Sequence, residues 1–444
     1  EGASAGQGDA SHAAQAEVLL AGATGALLRD DGDVVGALAG AAQRVDARYD
    51  LPFLAHHALE PLSCTAWVRD GRAELWACSQ NPARAAREVA AALGLPEAAV
   101  QLHGQRAGGA FGRRLDSDFI VEAAALARQV TAPVQLLWTR EDDLRHDHYR
   151  AGSFHRLRAG LSASGDVLAW HHHAVVHGDG VDAGTGAGLE ADEFPARWLG
   201  HCRIEQSVLK TAVPLGFWRA PGANASAWVV QSFVDELAHA AGRDPLDLRL
   251  ALLGERDAVP TGPFWSRGAP YRVDRMKAVL RDVAQRAGWG RVLPRGRGLG
   301  LAGHHCHAGY AAQPVEVTVT PQGRLTVDRV VCVCDVGSPI VNLSGAEQQV
   351  VGAILDGLSA AWFQQVALAN GRVVPANFDT QPLLRMADTP AAVEVHFLPS
   401  DHPPTGLGEP ALPPLAPALC NAIFRATGKR LRRLPIAAND LAWR

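Results

Sequence analysis

A strand, a helix and a second strand follow one another closely in the first quarter of the chain, and this order is the strongest constraint on the fold. Residues 74–78 alternate between apolar and polar side chains, as in a half-buried strand. Asn81 and Pro82 favour the start of a helix, and Gly94 favours its end. Since residues 100–103 give another short strand, this segment predicts a domain in which helices pack on a sheet.

The rest of the chain repeats this mixture, and we predict an α+β fold with mixed sheets and packed helices. Trp228, Phe233 and Leu237 lie on one side of a predicted helix at 226–242, which indicates a core position. A Pro-Gln-Gly turn at 321–323 separates two strand patterns and predicts a hairpin. Further helices are predicted at 83–93, 119–129, 273–287, 348–361 and in the stretch that ends at Gly428, and further strands at 134–138, 315–319 and 325–333.

Residues 254–297 are rich in proline, glycine and basic side chains around one helix, which makes them the best candidate for a domain boundary. The predicted organisation is an N-terminal segment or linker at 1–45, an α/β domain at 46–260, a Pro/Gly-rich connection at 261–297 and a C-terminal α+β domain at 298–444. We find no internal repeat and no low-complexity segment.

Composition and charge exclude several classes of protein. Apolar residues are 48% and charged residues 20% of the 444 residues, which fits a soluble globular protein. The net charge of −4 gives no basic footprint for nucleic acid, and no apolar run reaches the ~20 residues of a transmembrane helix. The seven cysteines are scattered without a Cys-x-x-Cys pair, so neither an iron–sulfur ligand set nor a disulfide framework is predicted in this chain.

One carboxylate stands out because of its neighbours. Glu409 lies between Gly408 and Pro410 and shortly before a helical pattern. Glycine allows a close approach of the backbone to a ligand, and proline favours an extended conformation for the residue before it. The spacing fits a general base held on a stiff loop, but it also fits a surface carboxylate in a Gly/Pro turn, and spacing alone leaves both interpretations open.

A second candidate is the glycine-rich loop at 106–114. Gly108, Gly109 and Gly112 can expose backbone N–H groups to an anion or an oxo group. Two arginines follow directly, and arginine pairs with phosphate through two hydrogen bonds. A plain turn is the alternative, because a single glycine-rich loop is weak evidence.

Several histidine- and charge-rich stretches are predicted to be structural. The runs at 171–173 and 304–307 fall in strand patterns, where only alternate residues share a face, so each offers fewer ligands than a closed zinc site needs. Residues 140–150 predict a solvated loop or an ion-pair network. His56 and Glu60 are predicted to form structural hydrogen bonds rather than a catalytic pair.

Taken together, five loops resemble one known family. Gly-Leu-Gly-Glu-Pro at 406–410, followed by Pro-Pro-Leu-Ala-Pro-Ala, resembles the active-site loop of the molybdenum hydroxylases, the xanthine oxidase family. The ending at 426–436 resembles the large molybdopterin-binding subunit of the isoquinoline 1-oxidoreductase type. Jointly, the loops at 79–82, 107–114, 216–222, 335–352 and 405–417 carry the resemblance.

The resemblance implies roles for individual residues. Glu409 matches the catalytic base, and 298–444 would be the domain that carries it, while 46–260 would bind the molybdenum cofactor. Arg219 and Leu115 occupy substrate positions, and Leu115 replaces the glutamate of xanthine-oxidising members, which argues against a purine. The resemblance assigns no metal ligand to the chain, and it implies cofactor contacts at Gln80, Gly108, Gly109, Phe111, Gly112, Arg113 and Gln349, with the Phe111 amide and the Gln80 side chain meeting an oxo ligand of molybdenum.

The family's Glu-Met-Gly-Gln-Gly loop near the pterin is missing, so the chain resembles the C-terminal half of such a subunit. We therefore expect a second chain that completes the site of a molybdenum–molybdopterin cytosine dinucleotide cofactor. The resemblance also implies a [2Fe-2S] subunit, with a haem c cytochrome subunit as a further candidate. A periplasmic or membrane-associated complex is expected, with the cytoplasm as the alternative.

The implied reaction is hydroxylation of an N-heteroaromatic ring or an aldehyde with oxygen from water. The electrons leave through the [2Fe-2S] partner. Two alternatives are a non-catalytic assembly or scaffold chain and a carbon monoxide dehydrogenase-like enzyme. The second requires a cysteine-bearing active-site loop, and the loop around Arg219 has no cysteine.

Overall fold

The computed structural model describes residue 2 and residues 4–22, 25–261 and 269–444. The predicted Pro/Gly-rich connection at 261–297 lies partly outside these described residues. The helices are α1 (Asp9–Ala21), α2 (Val34–Ala39), α3 (Pro82–Leu93), α4 (Asp118–Ala127), α5 (Arg140–Arg145), α6 (Ala223–Ala240), α7 (Pro245–Leu253), α8 (Val273–Ala287), α9 (Leu343–Trp362) and α10 (Leu415–Thr427).

The strands build three main sheets. They are β1 (Ala26–Asp31), β2 (Gln43–Leu51), β3 (Ser63–Arg69), β4 (Arg72–Ala77), β5 (Val100–Gly104), β6 (Val134–Leu137), β7 (Ser153–Leu161), β8 (Val167–Gly178), β9 (Cys202–Lys210), β10 (Ala258–Val259), β11 (Tyr271–Arg272), β12 (Arg297–Cys306), β13 (Gly309–Val319), β14 (Leu325–Asp335), β15 (Leu368–Ala369), β16 (Arg372–Val373) and β17 (Ala392–Phe397).

The first sheet has five strands in the order β1-β9-β8-β7-β2, with β8 and β9 parallel and the other neighbours antiparallel. Helix α6 packs against β2 and β7, and its predicted apolar side, with Trp228 and Phe233, is completely buried. The rings of Trp170 and Phe233 meet edge to face at 5.1 Å between centroids. This contact joins the sheet to the helix that leads away from the Arg219 loop.

The second sheet, in the order β5-β4-β3-β6, contains the strand–helix–strand unit that the sequence predicts. Strands β4 and β5 are parallel and α3 connects them. The Asn81 side chain accepts a hydrogen bond from the Arg84 amide, and Gly94 has a left-handed φ of 66° at the end of α3. Local capping therefore decides both ends of this helix, as predicted.

The third sheet, in the order β12-β13-β14-β17, supports the Glu409 loop. Helix α10, which follows that loop, packs on β12. This approach depends on glycine, since a Cβ atom on Gly300 would lie 2.2 Å from the Ala418 carbonyl oxygen, and one on Gly298 would lie 2.0 Å from that of Ala422. Helix α8 packs on β13 and β14.

The structure confirms the α+β class and the predicted helix at 273–287. The division into domains stays a prediction, but residues 1–45 contribute more than a linker, because α1, β1 and α2 belong to the first sheet and its packing. Within the described residues, no helix is long and apolar enough to cross a bilayer.

Candidate active site

The Glu409 carboxylate is held at both of its oxygens. Oε1 accepts a hydrogen bond from the Ala220 amide at 3.0 Å. Oε2 lies 3.1 Å from Nε2 of His307. These two contacts orient the carboxylate, and the side chain is still 31% exposed, so a ligand can reach it. Such an anchored but accessible carboxylate suits a general base.

Arg219 fastens the Glu409 loop to its surroundings. Its Nε donates to the Gly408 carbonyl at 2.7 Å, and Nη2 donates to the Gln349 carbonyl at 3.2 Å. Nη1 lies 3.5 Å from the Asp356 carboxylate. The predicted contact of Arg219 with substrate stays a prediction, because in this structure the guanidinium is 10% exposed and contacts the protein itself.

The glycine-rich loop contacts the backbone at 217–220, the segment that also holds Glu409. The Arg219 amide donates to the Phe111 carbonyl at 2.9 Å, directly beside the Ala220 amide that holds Glu409. The two loops are in close contact at Gly112, where a Cβ atom would lie 1.8 Å from the Phe217 carbonyl oxygen and φ is +114°. Only glycine fits there, so this position fixes the distance between the two loops.

The amides of Gly109, Ala110 and Phe111 form no hydrogen bond within the described part of the chain. Gly109 has a φ of 103° and Phe111 a φ of 54°, and such conformations turn successive N–H groups towards one side. Because buried or half-buried amides are normally paired, this row of open donors is a candidate site for oxygen atoms of a ligand.

Gln80 contributes a further donor to this row. Its backbone amide donates to the Arg114 carbonyl at 2.8 Å, and its Oε1 accepts from the Gly112 amide at 3.2 Å. These contacts orient the side-chain amide, and its NH₂ group has no partner among the described residues. The structure thus places Gln80 next to the glycine loop, two site elements that the sequence predicts separately.

The arginines after the glycine loop are buried beneath it. Arg113 pairs with Asp118 at 2.7 Å and with Asp147 at 3.0 Å. Arg114 donates to Glu60 at 2.9 Å. The predicted direct contact of Arg113 with a cofactor stays a prediction, since both guanidiniums have carboxylate partners within the protein and are 1% exposed.

Asp147 is the centre of this buried support. It lies 2.9 Å from Nδ1 of His56, and Nε2 of His56 lies 2.8 Å from the Phe217 carbonyl. Burial opposes ionisation, but His56 and Arg113 outweigh it and lower the pKa of Asp147 to about 2. Residues 140–150 therefore form an ion-pair network, one of the two predicted alternatives, and His56 has the predicted structural role.

Gln349 and Leu115 complete the set of predicted site residues. Gln349 lies on α9, and its Oε1 is 3.8 Å from the position of a Cβ on Gly408. Leu115 closes the turn after the glycine loop, because its amide donates to the Gly112 carbonyl at 3.0 Å. The residues predicted from separate loops thus form one connected site around Glu409, Arg219 and the glycine loop.

Comparison with known proteins decides the family. Two models described as molybdopterin cofactor-binding domain match residues 22–252, more than half of the chain, and residues 279–390. The chain belongs to the molybdenum hydroxylase family. Its fold agrees with this assignment, since quinoline 2-oxidoreductase from Pseudomonas putida 86 superposes with a TM-score of 0.76 over 93% of this chain and 77% of that one, at 13% identity.

Two curated relatives are similar in sequence. One is named membrane-bound aldehyde dehydrogenase (pyrroloquinoline-quinone), from Gluconacetobacter polyoxogenes, and is 32% identical over 96% of this chain and 57% of its own length. The other is isoquinoline 1-oxidoreductase subunit beta from Brevundimonas diminuta, 31% identical over 83% of this chain and 46% of its own. The chain spans about half the length of these relatives.

The site of this molybdenum hydroxylase chain fits a bound molybdopterin group. The fit rests on the row of open amides at 109–111 and the Gln80 NH₂ group, which are donors without a partner among the described residues. Oxo and phosphate groups accept such hydrogen bonds. No group of three or more metal-ligating side chains occurs in the described ranges.

The histidines of the hydroxylase chain differ in role. His171, His172 and His173 contact Glu205, His155 and Ser207 respectively, all at 2.7–2.9 Å, as structural hydrogen-bonding residues. His307 has a different role, since it contacts Glu409. This contact is not predicted from the sequence, where a polar run at the turn between two strands is the one feature that points to His307.

Proposed function

We propose that this chain is the molybdenum-binding part of an oxidoreductase that hydroxylates an aldehyde or an N-heteroaromatic carbon with oxygen from water. The observation that carries the proposal is the Glu409 carboxylate, held at both oxygens beside a row of open amide donors. The names of the relatives, an aldehyde dehydrogenase and an isoquinoline oxidoreductase, support both substrate classes.

Each residue of the site would have a separate role in binding the cofactor or in catalysis. Gln80 and the amides at 109–111 would hold oxygen atoms of the cofactor, and Gln349 would hold its pterin. A bound molybdenum–molybdopterin group supplies the two-electron oxidation. Glu409 acts as the general base and accepts a proton from the water-derived nucleophile. The Ala220 amide keeps its carboxylate in place, and Arg219 keeps the loop in place.

We infer that the working enzyme contains further chains. One further chain is proposed to complete the pterin site. A [2Fe-2S] subunit and a cytochrome c subunit are proposed to receive the electrons. The cytosine dinucleotide form of the cofactor belongs to the same proposal and rests on the family resemblance. A periplasmic or membrane-associated location is also proposed, and the name of the membrane-bound relative supports it.

The test is Glu409→Gln in the assembled enzyme. The amide keeps the size of the side chain but cannot accept the proton, so turnover should fall about 10²–10⁴-fold with unchanged molybdenum content. Glu97→Gln, an exposed glutamate far from the loop in sequence, is the matched control. An aldehyde, an N-heteroaromatic and a purine should be compared as substrates. Near-normal turnover of the variant, or a quinone in place of molybdenum, would contradict the proposal.

A further inference from the structure

The turn between β12 and β13 is unusual. Cys306 pairs with Gly309, so His307 and Ala308 are the two central residues of a tight hairpin. Both have positive φ values, 52° and 61°. Two-residue hairpins of this kind favour Asn and Gly, and other residues there cost free energy. Positive φ is uncommon for any residue other than glycine, although histidine adopts it more readily than alanine does, and such conformations are often found at functional sites.

This turn packs directly on the Glu409 loop. A Cβ atom on Gly309 would lie 2.8 Å from Cγ of Pro410. In this close contact, Nε2 of His307 lies 3.1 Å from Oε2 of Glu409. On the other side of the ring, Nδ1 lies 2.9 Å from Sγ of Cys306. The imidazole thus connects a thiol to the carboxylate.

The two contacts of the ring decide which nitrogen carries hydrogen. Cys306 is 2% exposed, and burial, together with Glu409 and Glu193, raises the pKa of its thiol far above the usual range, so the thiol keeps its hydrogen. A thiol can donate or accept a weak hydrogen bond, whereas an ionised carboxylate only accepts. In the neutral ring the hydrogen is therefore on Nε2, which faces Glu409, and Nδ1 is the acceptor for the Cys306 thiol.

We propose that His307 is a positioning residue for Glu409, with its hydrogen on Nε2 and Cys306 as the donor to Nδ1. The chain of contacts is Sγ–H to Nδ1, then Nε2–H to Oε2 of Glu409. Two donors, His307 and the Ala220 amide, then fix the direction in which the carboxylate of the proposed general base points. The catalytic part of this inference rests on the proposed function, whereas the hydrogen-bond arrangement does not.

The arrangement can be tested on the full chain without activity. Long-range ¹H–¹⁵N spectra of histidine-labelled protein should contain one neutral ring with hydrogen on Nε2 that disappears in His307→Gln. In Cys306→Ala the donor to Nδ1 is lost while Glu409 still accepts from Nε2, so the hydrogen should stay on Nε2 and the Nδ1 resonance of this ring should shift. A ring with hydrogen on Nδ1 in the unmodified protein, or an unchanged Nδ1 resonance in Cys306→Ala, would overturn the assignment.

The catalytic consequence is tested in the assembled enzyme. In His307→Leu the carboxylate loses one of its two orienting contacts, so kcat should fall about tenfold while KM and the molybdenum content stay unchanged. His307→Gln has a side-chain N–H donor and should restore kcat. His396→Leu, a histidine on β17 beside Glu394, is the control. An unchanged kcat in His307→Leu, or no rescue by glutamine, would contradict the inference, while the spectra still decide the hydrogen bonds if no substrate is turned over.

Discussion

At the scale of single residues, the geometry of the site depends on contacts with backbone atoms. Glu409 is oriented by one amide and one imidazole, and Gly112 allows two loops to approach to a distance that excludes any side chain. The Ala220 amide and the Phe217 carbonyl are main-chain atoms that cannot move independently, so these two contacts tolerate little change. The position of the Glu409 carboxylate therefore depends on the path of the chain at 217–220.

Glu193 gives a residue-scale prediction about pH. Burial, followed by the charges of Asp192 and Glu190, raises its pKa from 4.5 to about 7. The native state keeps this proton between about pH 4.5 and pH 7 while the unfolded chain releases it, so the stabilisation is complete below pH 4.5 and is lost as the pH rises through 7.

Glu193→Gln should remove this loss. Between pH 5 and pH 8, the free energy of unfolding of the variant relative to the unmodified protein should rise by about 1–3 kcal/mol. Urea unfolding at the two pH values measures it, with Glu97→Gln as an exposed control. A pH-independent difference between variant and unmodified protein would contradict the assigned titration.

At the scale of elements, one guanidinium joins three parts of the site. Arg219 connects its own loop to the Glu409 loop through Gly408 and to α9 through Gln349. The planar guanidinium donates in several directions at once, whereas an ammonium group is a flexible point charge. The relative position of α9 and the catalytic loop therefore depends on arginine and not on positive charge alone.

Arg219→Lys should loosen this junction without unfolding the protein. We expect faster hydrogen exchange in residues 405–410 and lower turnover, while the melting temperature changes little because lysine keeps the positive charge beside Asp356 and only the contacts of this junction are lost. Arg425→Lys, on the exposed side of α10, is the matched control. Unchanged exchange in the loop would show that Arg219 does not hold it.

At the scale of the whole molecule, the open side of the site lies on an apolar surface. Val341 is 94% exposed and Leu343 is 55% exposed, and both lie just before Gln349 on the chain. A groove beside them is lined by Ile340, Gln349 and Leu407, among others. These exposed apolar side chains beside Gln349 support the partner chain that is proposed above.

The partner chain proposed above gives the whole-molecule prediction. Produced alone, this chain should bind little molybdenum and tend to aggregate; co-produced with the chain that completes the pterin site, it should form a stable complex with an interface above ~2,000 Å². Size-exclusion chromatography with metal analysis measures both properties. A monomeric, molybdenum-loaded and active 444-residue protein would contradict the proposed complex.

Features that depend on neighbouring residues could be predicted from the sequence. The capped helix α3 and the helix α8 were predicted because capping and apolar periodicity act within a few residues. The Glu409 loop and the glycine-rich loop became candidates through their glycines and prolines, but only their resemblance to the molybdenum hydroxylase loops favoured a functional role over a plain turn. The α+β class followed from the order of these elements.

Only the tertiary structure decided which side chains meet. His307 contacts Glu409 through a turn that is distant from it in sequence. The structure alone shows that Arg113 is buried against Asp118 and Asp147 and that Arg219 contacts the Gly408 carbonyl. Burial and pairing of charges depend on the packing of distant segments, so the sequence determined the elements and the chemistry that they carry, while the fold determined the partner of each charged group.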